Sequence, residues 1–342
     1  MRLGASYIVP IRWTSPGPIG ELAVYLGEVS SWVEEVIVVD DSPPAIYAAH
    51  RERLPAGVLQ IPVDPDRHSP NGKVDGVLTG IAAAAHERIV IADDDVRWER
   101  GTLAVALRRL AGAELVRPQN YFHPLCWHAR WDSARSLLNR VVTGDREFPV
   151  GDFPGTLALR RSAVLAIGGY DGRALFENLE LMREVAAAGG RVVTPLDLYV
   201  PRRPPTFAHF RSQRLRQAYD DWAMPARLGA FLAVIPVLLG LLARGRRRAA
   251  AALAVAPAII AEAGRRRAGG ARHFPPSCSL LAPLWVGERA VYSWIALWHG
   301  LRGSGVRYSR DRITHAATPG SRLRADPTGT PDRGLFVPEA AA

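Results

Sequence analysis

The sequence predicts an α/β domain with a mostly parallel central sheet, followed by membrane-associated helices. Three observations carry this. First, short β-branched runs such as SYIVPI, EVIVVDD and RIVIA alternate with helix-like segments over the first hundred residues, the pattern of parallel strands joined by helical crossovers. Second, acids collect where these runs end, at Asp40 and Asp41, at Asp64 and Asp66, and at Asp93 to Asp95. That carboxyl edge is where open α/β sheets bind ligands. Third, much of the arginine excess behind the formal charge of +10 lies after residue 200, beside apolar runs such as Leu228–Ala243. Basic residues flanking apolar runs suggest a soluble domain tied to a membrane.

The elements follow in order. Ser6–Ile11 reads as the first strand, and Ile19–Trp32 as a helix entered through the turn SPGP. Glu35–Asp41 is a strongly β-branched second strand and Val58–Asp64 a third. Gly72–His86 has helical spacing and stops just before the fourth strand, Arg88–Ala92, which runs straight into three carboxylates. Beyond it, Thr102–Gly112 and Trp131–Val142 read as helices, with a strand in Glu114–Phe122 between them. Phe148–Asp171 joins a Gly/Pro-rich turn, which presents Asp152, to a short strand and a helix start. Leu175–Ala188 is an amphipathic helix closed by Gly189 and Gly190, and Arg191–Val200 is the last strand of the domain.

After Pro205 the composition changes. Phe207, Phe210, Leu215, Ala218 and Trp222 fall on one helical face with Arg211, Arg214 and Arg216 around it, as in a helix lying at a membrane interface. Leu228–Ala243 and Ala249–Ala263 are apolar but shorter than the roughly 20 residues of a usual span. Cys278–Leu301 is longer but contains Glu288 and Arg289. The expected boundaries are 1–205 for the α/β domain, 206–225 for the interfacial helix, 226–303 for membrane-associated helices, and 304–342 for a basic, disordered tail. With only Cys126 and Cys278, the chain has neither a disulfide framework nor zinc spacing. Nucleic-acid binding is disfavoured, because no zinc finger, RNA-binding aromatic motif or basic-region heptad is present. The N-terminus lacks a signal peptide's apolar stretch and cleavage site, so the first domain is expected in the cytoplasm, facing the cell membrane.

Asp93 and Asp95 point the same way if the strand geometry persists, with Asp94 on the opposite side. Paired strand-end carboxylates make an oxygen-donor site for Mg²⁺ or Mn²⁺, which completes its shell with phosphates and water. His123 and His128 are a weaker metal pair, since Pro124 separates them and a third ligand is missing.

In combination, VIVVDDSP, NGKVDGVLTGI, ADDDV and GTLALRRSAVLAIGGYD resemble the ordered motifs of the family 2 glycosyltransferases. These are inverting enzymes with the GT-A fold, and the likeness is to membrane-attached members of the ceramide- and hopanoid-glycosyltransferase type. It covers roughly residues 5–225, the length of one such catalytic domain. The resemblance implies a UDP- or GDP-sugar donor and a lipid or lipid-linked acceptor hydroxyl. It implies that Asp40 or Asp41 contacts the nucleoside, that Asp93, Asp94 and Lys73 lie at the nucleotide, and that Asp95 with Asp93 holds the cation. The family's QxxRW motif corresponds to Gln213 and Arg216, with Gln217 where Trp is usual. Its catalytic Asp corresponds to Asn178, and an amide cannot act as a general base. Glu177 or Glu180 must then take the proton. A nucleotide-sugar-binding or assembly protein that lost the base, and a transferase acting on a polysaccharide or small molecule, stay open as alternatives.

Overall fold

Side chains of β1 (Leu3–Ile11) alternate across the sheet, with Tyr7, Val9 and Ile11 in one apolar layer and Ile8 in the other. β2 (Val33–Asp40) does the same with Val36 and Val38 against Ile37 and Val39. Both strands are therefore buried on both faces, which explains their near-continuous apolar sequence. The computed structural model describes residues 1–15, 17, 19–143, 154–308, 311–318 and 323. Asp152 and most of the expected tail lie outside the described residues.

The first half adds α1 (Ile19–Trp32), α2 (Pro44–Arg51), β3 (Leu59–Ile61), α3 (Gly72–Ala83) and β4 (Arg88–Ala92). Then follow α4 (Arg100–Arg109), β5 (Leu115–Val116), β6 (Gln119–Phe122), α5 (Trp127–Val142), β7 (Thr156–Arg160), α6 (Arg161–Ala166), α7 (Glu177–Ala187), β8 (Val192–Val193) and β9 (Tyr199–Arg202). The main sheet has seven strands in the order β3-β2-β1-β4-β7-β5-β8. All its pairings are parallel except those of β7, which runs antiparallel to both β4 and β5. Strand order reverses at β1, which lies between β2 and β4, so a crevice opens at the carboxyl ends of β1 and β4.

The structure divides two expected strands. Glu114–Phe122 breaks at Pro118, which has no N–H to donate to a ladder. β5 stays in the main sheet while β6 pairs in parallel with β9 in a two-stranded sheet. Arg191–Val200 likewise splits into β8 and the start of β9. β9 also clips onto the acidic segment, because Arg203 N–H donates to the Asp95 carbonyl at 2.8 Å and Arg97 N–H to the Pro201 carbonyl at 2.9 Å.

The C-terminal part comprises α8 (Phe207–Tyr219), α9 (Pro225–Ala243), α10 (Arg247–Arg266), α11 (Pro276–Leu280), α12 (Ala282–Leu301), β10 (Val306–Tyr308) and β11 (Asp311–Ile313). α8 packs one face into the protein, burying Phe210, Arg214, Ala218 and Tyr219, and leaves Phe207, His209, Arg211 and Ser212 exposed. Arg214, expected to ring a lipid-facing stripe, is buried between Asp132 at 2.7 Å and Glu288 at 2.8 Å. The charges of α12 follow the same logic: Glu288 meets Arg214, and Arg289 meets Asp221 at 3.4 Å. The tail expected to be disordered from residue 304 begins as an antiparallel hairpin, β10–β11, whose Val306 and Ile313 pack with Leu175, Tyr219 and Ala296.

Candidate active site

A cavity of about 600 Å³ opens at the crevice between β1 and β4. Its lining includes Asp41, Lys73, Asp93, Asp94, Asp95 and Arg202, with Glu177, Gln213, Arg216, Asp220 and Tyr308. Sequence reasoning singled out ten site residues, and eight of them line this one space. Asp40 does not. It is buried, and its carboxylate accepts from the Ser42 N–H at 2.9 Å and Gln60 Nε2 at 2.9 Å, and pairs with His50 Nδ1 at 2.8 Å. Asp40 thus shapes the turn that presents Asp41. Glu180 is also outside. It is buried one helical turn beyond Glu177, where it accepts from Arg183 at 2.9 Å and from the Thr318 N–H at 3.0 Å.

Asp41 extends past β2 and meets Arg12 Nε at 3.3 Å. Partial burial, then the neighbouring Asp40, raises its pKa above the usual carboxylate value. Asp94 also faces the cavity, where it accepts from the Trp13 indole N–H at 2.8 Å. The alternation expected within the triplet therefore ends with the strand at Ala92.

Lys73 stands in the first turn of α3, entered through Asn71, whose side chain accepts from the Lys73 N–H at 3.3 Å. The same Asn71 amide donates to the carbonyls of Ala174 at 3.1 Å and Leu175 at 3.3 Å. One residue therefore ties the start of α3 to the approach of α7, and brings Lys73 within 2.5 Å of Glu177. Lys73 also bonds Asp93. Burial works against the Lys73 charge, but Asp93 and then Glu177 overcome it and hold its pKa well above the usual value. Glu177 itself opens α7, where the helix dipole favours an anion.

Arg202 bridges the two carboxylates proposed for the cation. Its Nε lies 3.0 Å from Asp95 Oδ1, and its Nη2 lies 2.8 Å from Asp95 Oδ2 and 3.0 Å from Asp93 Oδ2. Burial raises the Asp95 pKa to about 6, with Arg202 pulling down and Asp93 pushing up. Gly155 makes room for this fork, since any side chain there would collide with the Arg202 guanidinium. The donor chemistry fits Mg²⁺ or Mn²⁺ shared with a substrate. Among the described residues no cluster of three or more His, Cys, Asp or Glu could hold a metal by itself; a cation held by Asp93 and Asp95 would take its remaining ligands from phosphate and water. His123 and His128 form no such centre; His128 instead pairs with the Pro205 carbonyl at 2.8 Å.

Asn178 is fully buried and donates to the Pro154 carbonyl at 2.8 Å, a structural role that turns it from the cavity.

No protein-family model matches this chain, and no curated protein matches it. Solved structures do. A mannosyltransferase from Pyrobaculum calidifontis, in complex with GDP-Man and Mn²⁺, superimposes with a TM-score of 0.52 at 20% identity, covering 88% of this chain and 88% of its own. The chain has the GT-A glycosyltransferase fold. More distant are a mycobacterial protein (TM-score 0.43, 17% identity, 63% of this chain and 72% of that one) and a glucosyl-3-phosphoglycerate synthase from Mycobacterium tuberculosis with Mn²⁺, UDP-Glc and phosphoglyceric acid (TM-score 0.40, 13% identity, 61% and 75%).

Within this GT-A frame, sequence reasoning missed Arg202, Trp13, Asp220 and Tyr308. None belongs to a local pattern. Trp13 and Arg202 reach the acidic triplet only through the sheet crossing and the β9 clip. Tyr308 arrives from the far end of the chain, and Asp220 reads as one half of a helix-terminal acid pair.

Proposed function

We propose that this chain is an inverting, metal-assisted glycosyltransferase. It would move a sugar from a UDP- or GDP-sugar to a hydroxyl of a lipid or lipid-linked acceptor, at the cytoplasmic face of the cell membrane. One observation carries the reading: Asp41, Lys73, Asp93, Asp95 and Glu177, drawn from four separate segments, line one cavity at the sheet's carboxyl edge. The GDP-Man and Mn²⁺ bound by a mannosyltransferase of the same fold support it.

The residues divide the work. Asp41 accepts hydrogen bonds from the nucleoside. Lys73 and Arg202, held poised by carboxylates in the unliganded chain, turn toward the arriving diphosphate, a stronger pairing for a guanidinium fork than a single carboxylate. Asp93 and Asp95 are then free to donate oxygen ligands to Mg²⁺ or Mn²⁺. A cation held by them would supply Lewis-acid stabilisation of the charge on the leaving nucleoside diphosphate. Gln213 and Arg216 project from α8 on the acceptor side. The acceptor hydroxyl attacks the anomeric carbon from the face opposite the diphosphate.

The lipid acceptor is supported by the C-terminal surface. Among the described residues, α9 is long and apolar enough to cross a membrane by length and composition. Val237, Leu239 and Leu242 on α9 and Val255, Ile259 and Ile260 on α10 are exposed, and the turn between these helices carries exposed Arg244, Arg246, Arg247 and Arg248. An apolar surface edged by arginines suits anionic lipid.

Calorimetric titration of GDP and UDP into the detergent-solubilised full chain, with and without Mn²⁺, tests the donor site. Binding should require Mn²⁺ and weaken about tenfold or more in Asp95→Asn, the loss of one charged interaction. A wild-type chain that binds neither nucleotide, or a variant that binds as wild type does, would sink the reading. The burial of Asn178 favours one other outcome, a donor-binding protein without transfer. It would bind nucleotide-sugar yet release no nucleoside diphosphate when given a lipid extract.

A further inference from the structure

With Asn178 turned away and Glu177 paired to Lys73, the cavity still holds one carboxyl group, Asp220, that makes no hydrogen bond or close ion pair among the described residues. Asp220 caps the C-terminal end of α8, is 3% exposed, and lines the cavity one helical turn after Arg216. Its Oδ1 is buried without a hydrogen-bond partner, and among the described residues no donor bonds either of its oxygens. Its neighbour Asp221 shows what a purely structural acid does at this place, taking Arg227 at 3.1 Å and Arg289 at 3.4 Å. A buried polar group left without a partner is costly, so a carboxyl without a hydrogen bond at a ligand cavity points to a partner on the ligand.

We infer that Asp220 is the proton acceptor for the incoming hydroxyl, an assignment that rests on the transferase reading above. The acceptor O–H bond breaks and its proton passes to an Asp220 carboxylate oxygen. The freed electron pair forms the bond to the anomeric carbon, while the bond from that carbon to the diphosphate oxygen breaks and its electron pair departs on the nucleoside diphosphate. Geometry separates the two candidate carboxylates. Glu177 is already paired to the Lys73 ammonium at 2.5 Å, so its carboxylate is engaged before an acceptor arrives. Asp220 lies at a helix C-terminus, where an anion is disfavoured. Burial pushes its pKa up to about 8, opposed by Arg216, reinforced by Asp221, opposed by Arg289 and reinforced by Glu177. These charged groups act on it from α7 (Glu177), α8 (Arg216), the adjoining turn (Asp221) and α12 (Arg289); Tyr308 of the hairpin lines the same cavity, with Arg216 over its ring at 4.9 Å.

Nucleoside diphosphate release from GDP-mannose and UDP-glucose, with Mn²⁺ and water as the acceptor, is measured from pH 5.5 to 9 for the full chain, Asp220→Asn, Asp220→Glu and Glu177→Gln. Binding of GDP or UDP with Mn²⁺ is measured alongside. Wild-type release should rise with pH to a plateau above about 8. Asp220→Asn keeps the shape but cannot take a proton. It should lose about a hundredfold or more, the usual worth of a general base, and lose the pH limb, while binding nucleotide as wild type does; Asp220→Glu should recover part. Glu177→Gln should keep the limb. Unchanged release and pH profile in Asp220→Asn, or a wild type that binds donor yet releases nothing at any pH, overturns the assignment. A wild type that binds no nucleotide removes the transferase reading itself, and this inference with it. A fold defect is told apart by the nucleotide binding and by thermal unfolding. A merely structural Asp220 would leave release unchanged while Asp220→Asn gains stability relative to wild type as pH rises from about 4 toward 8. In that window the folded chain holds a proton that the unfolded chain gives up, so wild-type stability falls.

Discussion

Arg202 pairs with both carboxylates proposed to hold the cation. Its four hydrogen bonds to these acids reach residues 107 and 109 positions earlier in the chain, and with Lys73 it neutralises most of the charge that three neighbouring acids would otherwise leave unbalanced. A guanidinium in that place competes with any cation. Arg202→Gln should therefore bind Mn²⁺ about tenfold tighter in the absence of nucleotide, read by the electron paramagnetic resonance of free Mn²⁺. It should also unfold at lower temperature, because Asp93 and Asp95 lose their shared partner. Unchanged Mn²⁺ affinity would remove the competition. At this scale the acids were readable because a strand end announces itself locally: RIVIA is β-branched and ADDD is not. Their counter-charges were not readable. No local feature of YVPR marks its arginine as the one that reaches the triplet, and Asp220 looks like an ordinary helix-terminal acid until its missing partners are seen.

At the scale of elements, α8 shows how one pattern admits two structures. Apolar residues at helical spacing with arginines around them describe a helix on a lipid surface as well as a helix packed in protein. The discriminating fact lies elsewhere in the chain, in Asp132 on α5 and Glu288 on α12, which receive Arg214. The buried triad fastens the C-terminal helices to the α/β domain. Truncating its centre leaves two acids facing each other in low dielectric, so Arg214→Ala should cost about 3–5 kcal/mol of stability, measured by chemical unfolding. Replacing Asp132 and Glu288 with leucine in the same chain should restore much of it. A loss below the effect of an ordinary surface substitution would show that the triad does not carry the junction. The split of Glu114–Phe122 was foreseeable in principle from Pro118. The destination of the second piece, beside β9, depends on a pairing across eighty residues that no local signal contains.

For the whole molecule, the α/β class and the crevice at the strand ends were legible because β1, β2 and β4 are apolar on both faces, as strands buried in a parallel sheet must be. Strand order beyond β4 was not legible. β5 and β8 contribute two residues each, too short for periodicity to register, and the antiparallel sense of β7 follows from tertiary pairing alone. Membrane attachment makes a prediction at this scale. α9 exposes its apolar side chains rather than burying them, so the chain should stay with membranes during carbonate extraction. Ala233→Arg with Val237→Arg, both exposed near the centre of α9, should shift most of it to the supernatant, since each charge near the middle of a span costs about 2.5–3.5 kcal/mol. A wild-type chain fully released by carbonate would argue for a different occupant of that surface.

The hairpin β10–β11 returns to the cavity from beyond the last helix and sets Tyr308 against Arg216. During synthesis the α/β domain therefore leaves the ribosome while one wall of the cavity is still unmade. The hairpin packs on Tyr219 of α8 and Ala296 of α12, so that wall is set only when nearly the whole chain has emerged. The order of translation makes this contact the last part of the cavity to form.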